Sequence, residues 1–278
     1  MQSDLEKIIL DTIDIPSLPT VAVKALELIN SDSSSIDELE KIISRDQSFS
    51  ARLLRIANSP YYGMNRRIDT ISSGVMLIGF NTMKSLVVAA SLKDMHRKFG
   101  LFEQKLWEHS LGVSVASSLL ARVSKLIQPE EALVAGLIHD VGKTILNNSI
   151  PDKYALITQK VYEEGTQYKD VETELLGYTH CDVGGLIARK WKLPKNLEIV
   201  IQYHHSETLP MFEDSSFESL CQIVNVADSV CLSQSIGMKG PENIKVHYSN
   251  LGFGEAEFNK VIDLFKTTYA EQKAALMA

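Results

Sequence analysis

Apolar residues recur along most of the chain at the spacing of one helix face, and no segment shows the sustained alternation that is typical of strands. A helix from about Thr20 to Ile29, for example, places Val21, Ala25 and Leu28 on one side. The same periodicity returns in nearly every later segment. The pattern therefore predicts an all-α protein.

Prolines, glycines and short polar runs divide this pattern into separate helices. Ser35 stands three residues before Glu38 at the start of an apolar run, which predicts a capping box. Helix ends are predicted at Asn58, which is followed by Ser59-Pro60, and at Gly79. Further helices are predicted over Thr82 to Asp94, Lys105 to Lys125, Pro129 to Asp140, Pro151 to Glu164, Asp170 to Leu176, Asp182 to Trp191, Pro194 to His205, Phe217 to Ser233, and from Glu255 onward.

Residues of metal-binding type are concentrated in the second part of the chain. We divide the sequence into an N-terminal helical subdomain, residues 1–95, and a second helical subdomain, residues 96–278. Five of the seven histidines and two aspartates of the second part lie on or beside predicted helices: His109, His139, Asp140, His180, His204, His205 and Asp228. Imidazole and carboxylate together suit first-row ions such as Fe, Mn or Zn. The adjacent His139-Asp140 pair lets the carboxylate reach a second ion, and two neighbouring ions can polarise a phosphoryl group and activate water.

Each member of this set has an alternative explanation when it is taken alone. His139 and Asp140 could form a buried hydrogen-bonded pair at a helix end, although one shared ion site explains the whole set more simply. Lys143, one turn past His139, could contact a phosphate near the ions or stabilise a helix C-terminus. Adjacent helical residues point about 100° apart, so His204 and His205 could serve two neighbouring ions, or one could be a surface residue.

Three other residues resemble ligands but lack the same context. His96 and His247 have no such neighbours, and we interpret them as surface residues. Cys181 follows His180, but a small buried thiol is the commoner role of such a cysteine.

Composition excludes several classes of protein. The formal net charge of -7 argues against a general nucleic-acid binder. The three cysteines have no metal-binding spacing and fit a reducing cytosol. No run approaches the roughly 20 apolar residues of a membrane helix. We therefore expect a cytoplasmic protein that binds neither nucleic acid nor membrane.

Several motifs resemble one family, across about residues 13–235. They are Ile15 to Pro19, Ile43 to Asp46, Leu53 to Ser59 and Ile78-Gly79 in the first part, and Gly177 to His180, Trp191 to Pro194 and Tyr203 to His205 in the second. On these residues the chain resembles the HDOD family of bacterial signalling domains. That family lies within the HD superfamily of metal-dependent phosphohydrolases and is related to the HD-GYP phosphodiesterases.

The resemblance implies an HD-type helical bundle in the second subdomain. It implies that the seven histidines and aspartates above bind two divalent ions, with Fe or Mn favoured and Mg, Ni or Zn as alternatives. By similarity to HD-GYP proteins, Asp140 would bridge the ions and Lys143 would contact the scissile phosphate, and these two residues are the catalytic candidates.

Two departures from the HD-GYP pattern argue against hydrolysis of cyclic di-GMP. Ser206 to Pro210 follow the histidine pair, where the Gly-Tyr-Pro tripeptide of those enzymes would stand. Lys105 stands where trinuclear members have a glutamate, which argues against a third ion.

Three hypotheses of function follow, and the sequence leaves open whether the protein is an enzyme. The first is a regulatory HDOD module that binds metal, and a nucleotide or phosphate ligand, and receives its input in trans from another signalling protein. The second is a phosphohydrolase acting on a phosphomonoester, a nucleotide or a cyclic dinucleotide. The third is a metal-free helical scaffold. The sequence does not indicate an oligomeric state.

Overall fold

The protein is all-α, as the periodicity predicts. The computed structural model describes residues 2–13, 19–29, 35–58, 68–95, 100–206, 208–241 and 244–277, and within these ranges it has no strand. The helices are α1 (Gln2–Thr12), α2 (Thr20–Ile29), α3 (Ile36–Ile43), α4 (Gln47–Ala57), α5 (Ile71–Met95), α6 (Leu101–Ser124), α7 (Pro129–Ile138), α8 (Val141–Ser149), α9 (Pro151–Glu164), α10 (Tyr168–Leu176), α11 (His180–Lys190), α12 (Lys195–Tyr203), α13 (Ser215–Ser233) and α14 (Glu255–Met277), with a short 3-10 helix over Tyr248–Leu251.

The chain divides into two compact units. The smaller unit comprises Ser17–Met95 and Ala270–Ala278. Its core contains Leu39, Phe49 and Leu53, which are fully buried. The larger unit comprises Met1–Pro16 and His96–Tyr269.

Helix α1 is grouped with the larger unit, whereas the sequence analysis assigned residues 1–95 to the N-terminal subdomain. Two observations within the larger unit explain this placement. Ile9 and Ile13 are buried there, at 2% and 3% exposure. Arg189 of α11 donates a hydrogen bond to Glu6 at 2.7 Å.

The centre of the larger unit is α6, which is buried along most of its length. It packs closely against α7 because both helices present small residues at the contact. A Cβ on Gly136 of α7 would press against Ser117 and the backbone of Val113 in α6. This close packing brings His109 of α6 and the end of α7 into one region.

Several local predictions can be compared with the observed helices. Gly79 does break the helical path, since it has φ of 79° inside α5. Ser35 is the N-cap of α3, but its side chain makes no capping hydrogen bond, so the predicted capping box is wrong. Helix α8 was not predicted, because Gly142 and the polar residues Asn147, Asn148 and Ser149 obscure its short apolar face. Residues 15–18 of the opening motif, Ser59-Pro60 and His96 lie outside the described residues.

Candidate metal centre

Seven side chains from several helices and helix ends of the larger unit converge in one cluster. They form two groups in which one potential ligand atom from each residue lies within 4.8 Å of the others: Asp140, His180, His204 and His205 in the first group, and His109, His139 and Asp228 in the second. His109, His180 and His204 are fully buried. These are the seven residues that the sequence analysis selected, and the structure brings all of them together.

Asp140 lies between the two groups and presents one carboxylate oxygen to each. Its Oδ1 is 3.3 Å from His180 Nε2 and 3.6 Å from His204 Nε2. Its Oδ2 is 3.3 Å from His139 Nε2 and 3.8 Å from His109 Nε2. This is the arrangement that a carboxylate bridging two cations requires.

Asp228 also faces both groups. Its Oδ1 is 2.9 Å from His109 Nε2, and its Oδ2 is 3.7 Å from His205 Nδ1. Two aspartates from different helices thus connect the two sets of histidines.

Helix ends place most of these side chains. His139 is the C-cap of α7 and Asp140 is the N-cap of α8, so the pair occupies the turn between two helices. His180 is the first residue of α11, where Thr179 and Asp182 form a capping box. His204 is the C-cap of α12. A helix end leaves the backbone free to change direction, so each side chain can turn toward a shared centre.

A glycine allows two of these helix ends to meet. A Cβ on Gly142 would overlap the backbone carbonyl of His180. Helices α8 and α11 can therefore come this close only because residue 142 has no side chain. The approach brings Asp140 to within 3.3 Å of His180.

The second ring nitrogen of four histidines is held by an oxygen acceptor. Nδ1 lies 3.2 Å from Ile236 O in His109, 2.7 Å from Gly136 O in His139, and 3.0 Å from Val200 O in His204. In His180 it lies 2.6 Å from the Glu172 carboxylate. An acceptor at Nδ1 fixes the ring orientation and leaves Nε2 to serve as a ligand atom, as is usual for metal-binding histidines.

The atoms that face the centre lack ordinary hydrogen-bond partners. His109 Nε2, His139 Nε2, His180 Nε2 and Asp140 Oδ1 are buried and make no hydrogen bond of ordinary geometry, although they lie close to one another and, for His109, to Asp228. Buried polar atoms without partners are unfavourable by about 1 to 3 kcal/mol each. Divalent cations would satisfy all four atoms at once, so the donor set fits a metal centre.

Electrostatic effects on the histidines divide them into two pairs. Burial lowers the pKa of His139, and burial together with His204 holds the pKa of His205 well below its usual value. For His204, burial acts downward, but Cys181 and Asp140 prevail and raise the pKa to about 10. The pKa of His180 is also raised: burial again lowers it, but Cys181 and Glu172 outweigh burial. The surroundings of His139 and His205 thus favour the neutral imidazole, whereas those of His180 and His204 favour a positive charge at the ring.

Buried negative charge exceeds buried positive charge at the centre. Asp140, Asp228 and Glu172 are buried carboxylates, whereas Lys143 is the one lysine among the buried residues described. Burial alone would raise the pKa of Asp140, but His139 and Lys143 hold it well below its usual value. Burial alone would lower the pKa of Lys143, but Asp140 and Asp228 raise it, so the ammonium stays charged. With the histidines neutral, as metal ligands must be, this leaves an excess of two carboxylates, which is the charge that one divalent cation neutralises.

Lys143 points at the cluster. Its Nζ is 2.7 Å from Asp140 Oδ2 and lies 4.8 Å from the centre of the Tyr168 ring. Lys143 belongs to the first turn of α8, just beyond the end of α7. The helix dipole disfavours a cation in that turn, and the Asp140 carboxylate offsets the effect.

A large cavity opens onto the centre. Its volume is about 1010 Å³, and its lining includes Lys143, His204, His205 and Asp228. Tyr168, Asn225, Met238 and Lys245 contribute to the remaining wall. This volume is at the upper end of the range for small-molecule sites. The metal ligands therefore adjoin space for an organic ligand.

Four further side chains can be set beside the sequence predictions. His204 and His205, for which the sequence left open either two neighbouring ions or one ligand and one surface residue, fall in the same group, because the turn that ends α12 brings their rings to 4.2 Å. Cys181 is a buried free thiol, with Sγ 3.9 Å from His204 Nδ1. His247 is exposed.

Glu172 is the residue of the centre that sequence reasoning missed. It is fully buried on α10 and contacts His180. Glu172 lies eight residues before His180 in a helix with three other charged residues, so nothing in the sequence separates it from an exposed glutamate.

Comparison with known proteins places this chain in a family. The family model for the HDOD domain matches residues 15–207, which is more than half of the chain. The chain belongs to the HDOD family. The recognition made from the sequence motifs is thereby confirmed.

Relatives of this HDOD protein include two uncharacterized bacterial proteins. One, from Treponema pallidum, is 24% identical over 198 residues, which cover 69% of this chain. The other, YuxH of Bacillus subtilis, is 28% identical over 127 residues, which cover 46% of this chain. The matched segments span 38% and 31% of those two proteins, so the chain corresponds to well under half of either length.

Solved structures share the HDOD fold along the chain. An HDOD domain protein of unknown function from Geobacter sulfurreducens has a TM-score of 0.73 at 24% identity, covering 99% of this chain and 96% of its own. A candidate phosphohydrolase from Shewanella amazonensis has a TM-score of 0.67 at 24% identity, covering 97% of this chain and 96% of its own. At this identity the likeness establishes the fold.

The helices can also be assessed as membrane spans. Within the described part of the chain, no helix combines the length and the apolarity that crossing a bilayer requires.

Proposed function

We propose that this HDOD protein is a signal-transduction module whose larger unit binds two divalent metal ions, with Fe or Mn favoured and Mg, Ni or Zn as alternatives. One ion would be held by Asp140, His180, His204 and His205, and the other by His109, His139 and Asp228. The observation that carries the proposal is the set of buried, unpartnered Nε2 atoms around Asp140, each on a ring whose Nδ1 is already engaged.

The ions would supply the positive charge that the carboxylates demand and would polarise a phosphoryl oxygen of a bound ligand. One divalent ion balances the excess of buried carboxylate, and a second leaves the centre cationic. A cationic centre beside Lys143, at the edge of a large cavity, is suited to a phosphate or a nucleotide. We therefore propose a phosphate-containing ligand as the signal that this unit detects.

The partner is proposed to be another signalling protein that acts in trans. We assign its contact to the smaller unit, which contains no metal group among its described residues. Met76 and Leu77 of α5 are 70% and 50% exposed there, and adjacent exposed apolar side chains of this kind are suited to a protein contact.

Hydrolysis of a phosphate ester is the second candidate function. The position of Asp140 between the two groups and its ion pair with Lys143 favour it, because Lys143 lines the cavity where a phosphoryl group would lie. The same centre could therefore bind a ligand and release it unchanged, or bind it and cleave it.

Metal analysis tests the proposal. Protein loaded with Mn or Fe should retain about two ions per chain after buffer exchange. Asp140→Asn should lose most of this metal, because the substitution removes the charge shared by both groups. Asp263→Asn, at an exposed position on α14, is the matched control and should bind metal as the unsubstituted protein does.

Two outcomes would contradict the proposal, and each would support a different function. Protein that retains no metal, with a melting temperature that a chelator leaves unchanged, would favour the metal-free scaffold. Turnover of a generic phosphatase substrate or of cyclic di-GMP that disappears in Asp140→Asn, but not in Asp263→Asn, would establish the hydrolase instead.

A further inference from the structure

One histidine of the centre has a different hydrogen-bond partner at Nδ1 from three of the others. The Nδ1 atoms of His109, His139 and His204 each meet a backbone carbonyl, whereas Nδ1 of His180 lies 2.6 Å from the carboxylate of Glu172. A carboxylate pulls harder on the Nδ1 proton than a carbonyl does and makes the opposite nitrogen a stronger donor. His180 is therefore the most basic donor of its group on geometric grounds.

Glu172 is itself held at both oxygens. Its Oε1 accepts a hydrogen bond from the hydroxyl of Tyr154 at 2.7 Å. Its Oε2 accepts from the backbone N–H of His180 at 2.8 Å as well as from the ring. Tyr154, Glu172 and His180 are all fully buried, so neither the carboxylate nor the ring can turn toward water.

The three residues come from three consecutive helices. Tyr154 lies on α9, Glu172 on α10 and His180 at the start of α11. A buried carboxylate is unfavourable unless it is paired, and here its partners are one hydroxyl and one histidine. A role limited to joining helices would not need a charge, because a neutral amide could contact the same partners, accepting from His180 and donating to the Tyr154 hydroxyl.

We infer that Glu172, held by Tyr154, is a positioning residue that acts through His180. It increases the affinity for the metal ion that would be bound by Asp140, His180, His204 and His205. The inference rests on the proposed function, since it requires that this group binds an ion. It distinguishes the two ions, because the group of His109, His139 and Asp228 has no carboxylate behind its rings.

Glu172→Gln tests the charge with little change in shape. The amide oxygen can accept from His180 as Oε2 does, and the amide N–H can donate to the Tyr154 hydroxyl. Glu103→Gln is the matched control, because Glu103 is also a buried carboxylate of the larger unit, with bonds to Gly100 N and Asn147 at 2.8 Å and 2.7 Å.

The measurement is a calorimetric titration of metal-free protein with Mn(II), which gives two stepwise affinities, together with the EPR spectrum. We expect Glu172→Gln to weaken one of the two affinities roughly 10- to 100-fold and to leave the other near its original value. At limiting Mn(II) the spectrum should change from that of a spin-coupled pair to that of an isolated ion. Glu103→Gln should retain both affinities.

A double-mutant cycle shows whether the effect passes through His180. In a His180→Ala background, adding Glu172→Gln should cause no further loss of metal affinity. A further loss as large as in the unsubstituted background would assign Glu172 a general electrostatic or structural role and would overturn the inference.

The titration distinguishes failure of the proposed function from failure of the inference about Glu172. If the unsubstituted protein binds no Mn(II), the proposed function fails. If it binds two ions and Glu172→Gln binds them equally well, the inference alone fails. Circular dichroism of the metal-free proteins checks the fold. If Glu172→Gln does not fold, Tyr154→Phe replaces it as the test. We then expect a smaller loss of affinity for the same ion, and unchanged affinities for both ions would contradict the inference.

Discussion

At the scale of single residues, the centre depends on which atom of each side chain is already engaged. Asp140 divides its two oxygens between the groups of histidines, and Lys143 binds one of those oxygens. Lys143 is 5% exposed, so its ammonium has little contact with water. Its charge is therefore available both to Asp140 and to an anion that enters the cavity.

Lys143→Met should separate metal binding from phosphate binding. The substitution keeps the apolar stem under Tyr168 but removes the ammonium, and so metal should bind at least as tightly, whereas inorganic phosphate should bind at least about tenfold more weakly to the metal-loaded protein. Calorimetry with phosphate measures this. Lys266→Met on the exposed side of α14 is the control, and equal phosphate affinity in both variants would show that Lys143 is structural.

At the scale of helices, α8 and α10 support the centre from behind. Helix α10 presents Tyr168 to Lys143 and, one turn later, Glu172 to His180. Helix α8 approaches α11 through Gly142, which has no room for a methyl group against the His180 carbonyl. The position of His180 relative to Asp140 is thus set by a backbone contact between two helices.

Gly142→Ala should disturb this contact. Because the obstacle is backbone, the helices must move apart, and we expect a loss of about 1 to 3 kcal/mol in the free energy of unfolding together with weakened metal binding. Urea unfolding and a Mn(II) titration measure the two effects. Gly254→Ala is the control, because a Cβ there meets nothing within 4 Å, and equal behaviour of the two variants would refute the role given to Gly142.

At the scale of the whole molecule, the metal centre lies entirely within the larger of the two compact units. Its residues extend from His109 to Asp228 and come together only when α6, α7, α11, α12 and α13 are packed. The candidate ligands therefore come together only in the folded state, and metal bound by them would be coupled to folding.

Bound metal should stabilise the protein by an amount that rises with the logarithm of the free metal concentration. A ligand that binds only the folded state adds about 2.7 kcal/mol at a free concentration 100 times its dissociation constant. The melting temperature should therefore rise with added Mn(II) and fall after chelation. A melting temperature independent of Mn(II), in protein that analysis shows to carry the metal, would mean that the ligands are not assembled by folding.

The sequence by itself determined the helical class, most helix positions and the seven residues of the cluster. Helical periodicity is local, and histidines beside aspartates on apolar helices are conspicuous, so residues such as His139 and Asp140 could be selected without coordinates. The motifs around Arg45 and Trp191 were enough to recognise the family. The metal identity, the partner and the regulatory role stay predictions.

Only the tertiary structure decided how these residues are arranged. The assignment of His204 and His205 to one group depends on the turn that ends α12, and the division of Asp140 between two groups depends on helices far apart in sequence. Glu172 could not be recognised in advance, because a glutamate in a polar helix becomes a buried partner of His180 only through packing against α9 and α11. Contacts between distant segments have no periodic signature, and so the chain specifies them only by folding.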